Sequence, residues 1–150
     1  MNQPTPTIRW AHRRMAGVTL LELMAVVMVI GVLSMFALPS YRQYVMRAQR
    51  GEAKSALLQL ATNQERFYLA NRTYGATADL AALGFPTGNS EKGTYALTVA
   101  SADLTIDYTA TATPIAGGAV DMTLDDMCTS FSLTAAGVRT ATGTGAANCW

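Results

Sequence analysis

The chain has little of what catalysis and metal binding usually require. Among its 150 residues there is one histidine, His12, and there are two cysteines, Cys128 and Cys149. A single histidine close to the start argues against a His-based triad inside a folded domain, and two cysteines do not supply a four-ligand zinc site. Charge is scarce too. Only 14% of residues are Asp, Glu, Lys or Arg, and the net charge is +1, which argues against a general nucleic-acid binder. Half of the chain is hydrophobic, too much for a disordered tail. The mean hydropathy of +0.18 averages over strong segregation along the chain.

Residues 1–17 are polar and basic, with Arg9, Arg13 and Arg14 and no acid. Residues 18–38 are apolar and carry one charge, Glu22. At a helical rise of 1.5 Å per residue these 21 residues span about 31 Å, enough for a bilayer core. The arginines ahead of the segment place the N-terminus in the cytoplasm. A cleaved secretory signal is one alternative, but the apolar run is long for one and no A-x-A site follows it. A plain anchor for an unrelated domain leaves Glu22 unexplained. A buried core helix is opposed by the length and the basic flank. A carboxylate inside an apolar span costs about 3 kcal/mol unless it is paired. The span contains no Lys or Arg, so a partner must come from another molecule or from a newly made N-terminus.

The run from Arg14 through Gly17, Val18, Thr19 and Glu22 to Met24 resembles the type IV prepilin motif: a short basic leader, a glycine, cleavage after it, and a glutamate at the fifth position beyond. Gly31, Pro39, Tyr41 and Tyr44 fall where type IVa pilins carry them, while Val18 stands where the family usually has Phe. The resemblance implies that prepilin peptidase cuts between Gly17 and Val18, that the new amine of Val18 is methylated, and that Glu22 pairs with the N-terminal amine of a neighbouring subunit. It also implies that Val32 to Leu38, between Gly31 and Pro39, unwinds in the assembled pilus. Pro39 lacks the N–H that would bond the Met35 carbonyl, so a kink is expected on its own account.

From Arg42 to Asn71 there is no proline and one glycine, and apolar residues recur at Val45, Ala48, Ala53, Ala56, Leu57, Leu60 and Phe67, the spacing of an amphipathic helix. A helix from Val18 to Ala70 is about 80 Å long, and its first half must be covered by lipid or by other copies. Residues 39–72 carry six basic and two acidic side chains, and residues 73–150 two basic and seven acidic. Opposite signs on stalk and head favour staggered packing of subunits, as guidance more than binding energy.

Beyond residue 72 a loop over 73–93, with a short helical turn at Asp79 to Leu83, precedes a change of period to two. Tyr95, Leu97 and Val99 predict one strand, and Leu104, Ile106 and Tyr108 a second. Met122 with Leu124, and Phe131 with Leu133, are shorter candidates, with turns at Gly117, Gly118 and Gly137. The expected fold class is α+β: a long N-terminal helix whose stripe from Ala53 to Phe67 covers a small antiparallel sheet, the pilin fold by resemblance. The expected divisions are a leader (1–17), a transmembrane and polymerisation helix (18–38), an amphipathic helix (39–72) and a head (73–150). Cys128 and Cys149 are expected outside the cytoplasm, where a disulfide persists; two free thiols are the alternative. The resemblance, which includes a disulfide-bounded C-terminal region, implies the bond. The pattern from Asp125 to Cys128, with Phe131, Leu133, Gly137 and the terminal Cys149-Trp150, is similar to the minor pilins that include the DNA-uptake-sequence receptor.

These readings point to a structural pilin, probed against two alternatives. DNA capture by the head is disfavoured by Lys92 and Arg139 standing against seven acids, although Arg66 and Arg72 at the end of the helix are available. An anchored enzyme or a calcium-binding pseudopilin of type II secretion would use Asp121, Asp125 and Asp126, which lack an EF-hand pattern. No cofactor is expected. The partners implied by the resemblance are other pilin subunits, the prepilin peptidase and the inner-membrane assembly platform, with the chain in the inner membrane before it enters an extracellular pilus. Twitching motility, adhesion and pilus biogenesis are the roles implied.

Overall fold

The structure is a computed structural model that describes residues 17–117 and 121–150. The expectations placed on the basic leader up to Ala16, and on Gly118, lie outside the described residues. The chain divides into two compact units, one ending at Leu38 and the other starting at Pro39.

The element described in the first unit is the opening part of helix α1, which runs over Leu20–Asn71 and so has residues in both units. Thr19 starts it. Its carbonyl accepts the Leu23 N–H at 3.1 Å and its hydroxyl accepts the Glu22 N–H at 3.2 Å, so one of the donors orphaned at a helix start is satisfied by a side chain. Ser34 turns its hydroxyl back onto the Ile30 carbonyl at 2.8 Å, which removes a polar group from an apolar surface. Every residue from 17 to 38 is exposed apart from half-buried Ser34. This helix is long and apolar enough to cross a membrane by length and composition.

In the second unit α1 buries one stripe, Ala53, Ala56, Leu57 and Leu60, as its spacing predicts. The helix ends where Arg72 takes a left-handed conformation (φ 61°), while the Asn71 amide donates to the Phe67 carbonyl at 3.0 Å. The stripe packs with the inward faces of a four-stranded antiparallel sheet, β1 (Tyr95–Ala100), β2 (Thr109–Pro114), β3 (Ser130–Thr134) and β4 (Arg139–Thr142), in the order β1-β2-β3-β4. Register places Leu97 opposite Ala112 and Phe131 opposite both Ala112 and Ala141. Tyr95, Leu97, Val99, Tyr108, Phe131 and Leu133 fill the core, with Leu80, Leu83 and Phe85 from the preceding loop.

The structure corrects two of the expected strands. Leu104 to Tyr108 is not a strand. Asp103 accepts the Thr105 N–H (2.9 Å) and hydroxyl (2.6 Å), Asp107 accepts the Ser101 hydroxyl (2.6 Å), and these local bonds build a turn that competes with the sheet ladder. Pairing begins only at Thr109, in a run of alternating Thr and Ala that carries little hydrophobic signal. Met122 and Leu124 belong to a 3₁₀ turn (Met122–Leu124), because Asp121 accepts the Thr123 N–H at 2.9 Å. The turn expected at Asp79 to Leu83 starts earlier, as a 3₁₀ turn over Thr77–Asp79. Strand β4 has no apolar alternation to announce it.

Candidate functional site

Two regions bear on function. In the first unit Gly17 and Val18 precede the helix and are exposed. Glu22 follows in the first turn, where a carboxylate is favoured by the helix dipole. The apolar side chains around it are open: Leu20 is 76% and Leu23 60% exposed. An added Cβ at Gly31 would meet nothing within 4 Å, so this glycine is not demanded by packing inside one chain. Gly31 and Pro39 both lie within α1.

In the second unit Arg50, Glu52 and Gln64 are among the α1 side chains that hydrogen-bond to the head. Arg50 makes a bidentate pair with Asp125, both bonds 2.6 Å, with Asp125 only 2% exposed. The Asp125 hydrogen bond holds the guanidinium pKa above its usual value against the cost of its own burial. On the other side of the stripe the Glu52 carboxylate accepts the Ser90 hydroxyl (2.6 Å), the Lys92 N–H (2.9 Å) and the Thr94 hydroxyl (2.6 Å). Burial pushes its pKa up, but these hydrogen bonds together outweigh burial and leave it below the ordinary carboxylate value. Higher on the helix buried Gln64 exchanges two 2.7 Å bonds with the backbone of Gly75, and each group satisfies the other.

The chain after Asp125 is tied down as well. Cys128 and Cys149 form a disulfide with S–S 2.03 Å, and both are buried. The Trp150 indole donates to the Thr140 carbonyl at 2.6 Å, meets the Phe131 ring edge-on at 6.0 Å and lies under the Arg139 guanidinium at 5.6 Å. Gly143 (φ 124°) runs so close to the next segment that a Cβ would sit 2.7 Å from the Met127 carbonyl carbon. Beside this region a cleft of about 300 Å³ is lined by Arg47, Arg50, Lys54, Met127, Asn148 and Cys149. Arg50 is spent on Asp125; Arg47 and Lys54 have no carboxylate within ion-pair distance among the described residues.

Sequence reading misses these clamps. It groups Asp125 with Asp121 and Asp126 as a set of oxygen donors, but Asp125 is committed to Arg50, and Asp121 caps its own turn. The available signal is a glutamate, Glu52, beside the apolar stripe in a stretch of helix whose charges are mostly basic.

The family model for the "Type IV minor pilin ComP, DNA uptake sequence receptor" matches residues 39–132. A fimbrial protein of Dichelobacter nodosus is 38% identical over 97 residues, covering 65% of this chain and 57% of that protein. The type IV major pilin protein PilA of Myxococcus xanthus is 33% identical over 90 residues, covering 60% and 40%. The chain thus spans about half the length of the curated relatives it matches. A type IV pilin from Shewanella oneidensis solved at high resolution aligns with a TM-score of 0.46 at 21% identity, over 70% of this chain and 97% of that one. With the family match spanning most of the pinned head, the chain belongs to the type IV minor pilin family of ComP, structural subunits rather than enzymes.

Proposed function

We propose that this pilin is made as a prepilin, cut by prepilin peptidase between Gly17 and Val18, methylated at Val18, and passed by the inner-membrane platform into a type IV pilus as a minor subunit. The observation that carries the reading is the helix of the first unit: apolar, exposed along its length, and broken by one carboxylate, Glu22, one turn from the cleavage position. Such a surface needs lipid before assembly and neighbouring helices afterwards. Glu22 pairs with the new amine of the adjoining subunit, an ion pair that contributes register more than stability. Gly31 and Pro39 let the helix between them unwind inside the fibre. Pilus biogenesis, adhesion and twitching motility are the roles that follow. Intact mass and N-terminal peptide mapping of the chain, in membranes and in sheared fibres, tests this. The expected species starts at methylated Val18, lacks two hydrogens for the disulfide and is present in the fibre. A chain that retains Met1 to Gly17 and stays in the membrane overturns the reading.

A second reading, DNA capture by the head, is favoured by the family model's description as a DNA uptake sequence receptor. The cations for it are Arg66 and Arg72 near the end of α1, both exposed. Gel shifts with duplex DNA at several salt concentrations test it. Binding that weakens with salt and in Arg66→Glu/Arg72→Glu supports it, and the absence of a shift at low salt overturns it.

A further inference from the structure

One groove of the second unit holds two charges that the fold leaves unspent. It measures about 280 Å³ and is lined by Gln43, Met46 and Arg47 on α1 and by Leu124, Asp126 and Met127 on the head. The Arg50–Asp125 pair also lines it and is neutral as a unit. Arg47 and Asp126 remain, one cation and one anion, both exposed. They share the groove, yet among the described residues neither is in a salt bridge, so they stand farther apart than an ion pair. Leu124, 61% exposed, and Met127, 51% exposed, supply apolar surface beside them. Opposite charges left open across one groove are the complement of a zwitterion. A simple anion would meet Asp126 as well as Arg47, and like charges brought together work against binding.

We propose that this groove seats the headgroup of a zwitterionic phospholipid bearing a primary amine, with the phosphate on Arg47 and the ammonium on Asp126. The inference rests on the membrane stage of the reading above and deepens it by naming what the head touches there. Height along α1 carries the choice of a lipid over a soluble zwitterion. The headgroup layer adds about 5–8 Å beyond each face of the hydrocarbon core. Gln43 and Arg47 follow Leu38 by five and nine residues, about 8 and 14 Å at the helical rise. Helical side chains lean toward the N-terminus, so the Arg47 guanidinium reaches back toward the membrane. Tyr41 and Tyr44, 66% and 72% exposed, flank Gln43 in sequence, and tyrosines at the end of a span favour the headgroup level. The lipid amine donates to the Asp126 carboxylate and the phosphate accepts from Arg47, both bonds charge-assisted. Each contact is weak at an exposed site, and the density of headgroups in the leaflet keeps the groove filled. The contact holds residues 124–127 at the lipid surface until the subunit leaves the bilayer.

The test is native mass spectrometry of the chain purified from membranes in detergent and titrated with equimolar phosphatidylethanolamine and phosphatidylglycerol. The wild-type chain should retain phosphatidylethanolamine in preference. Asp126→Asn should lower that retention about tenfold, the loss of one hydrogen bond to a charged group, without lowering retention of phosphatidylglycerol. Arg47→Gln should lower retention of both lipids. Arg42→Gln, the same change of charge at a residue outside the groove, should leave the preference intact. Asp126→Asn keeps the backbone carbonyl that accepts the Thr144 N–H at 2.9 Å, and an intact Cys128–Cys149 bond reports that each variant has folded. Equal retention of the two lipids by the wild-type chain, or equal effects of Arg42→Gln and Arg47→Gln, would reduce the groove to part of a general basic collar and overturn the inference. Retention of phosphatidylethanolamine indifferent to Asp126→Asn overturns it as well. So does displacement of the lipid by equimolar free phosphoethanolamine, which would make this a site for a soluble zwitterion. In all of these cases the membrane reading stands; it falls if the chain is recovered from cells in the soluble fraction.

Discussion

Removing the Asp125 carboxylate should unfold the head far more readily than removing the pair it belongs to. Arg50 reaches Asp125 with two 2.6 Å bonds, and the side chains are 14% and 2% exposed. In Asp125→Ala the guanidinium keeps its charge but loses its carboxylate partner in a largely buried site. Breaking a buried pair in this way costs about 3–5 kcal/mol, whereas exchanging both partners for apolar groups of similar volume is often close to neutral. Arg50→Met/Asp125→Leu should therefore recover most of the loss. The assay is denaturant unfolding of the processed chain in detergent, followed by fluorescence. The chain has two tryptophans, Trp10 and Trp150. Processing after Gly17 would leave Trp150 alone, packed on Phe131 and Arg139, as a reporter of the head. At a domain stability of about 5–15 kcal/mol, the single change removes a large share. A cost for Asp125→Ala below about 1 kcal/mol, the range of an exposed pair, would refute the argument. So would a double variant less stable than the single one.

Glu52 gives the head a dependence on acid. Its folded pKa lies below the ordinary carboxylate value, so its contribution is complete above that value and is lost as pH falls through the folded one. Thermal melts in acid should show this loss, and Glu52→Gln should flatten that limb of the profile. Gly143→Ala combines a left-handed backbone (φ 124°) with a Cβ clash against Met127. It should lower the melting temperature by several degrees, an effect of about 1–3 kcal/mol, and Gly93→Ala (φ 73°) with open space around it should cost less. Reduction of Cys128–Cys149, separated by 21 residues, should destabilise the head by about 3 kcal/mol, read as a lower denaturant midpoint with reductant present.

The parts legible in the sequence are those written in periodicity or in a dense local motif. The stripe at Ala53, Ala56, Leu57 and Leu60 follows the helical repeat and is buried as expected. Tyr95, Leu97 and Val99 alternate and form β1. The alternation of Leu104, Ile106 and Tyr108 misleads because Asp103, Ser101 and Asp107 offer the backbone closer partners than a neighbouring strand. Strand β2 is hidden by its own composition, since Ala110 and Ala112 are fully buried but too small to mark an inward face. The clamps of Arg50 and Glu52 join residues 75 and 38–42 positions apart. No local pattern encodes such pairings; they exist only once the helix lies beneath the sheet.

Arg50 and Glu52 stand two residues apart on α1, about 200° around its axis, and hold opposite flanks of the head. Their signs differ and so do their partners: a carboxylate on one side, hydroxyls and a backbone N–H on the other. Turning this stretch of helix by a single residue, about 100°, would carry both side chains off their partners at once. The head is thus keyed to one rotational phase of the helix beneath it. A torque applied to that helix would be transmitted to the sheet rather than dissipated as slippage.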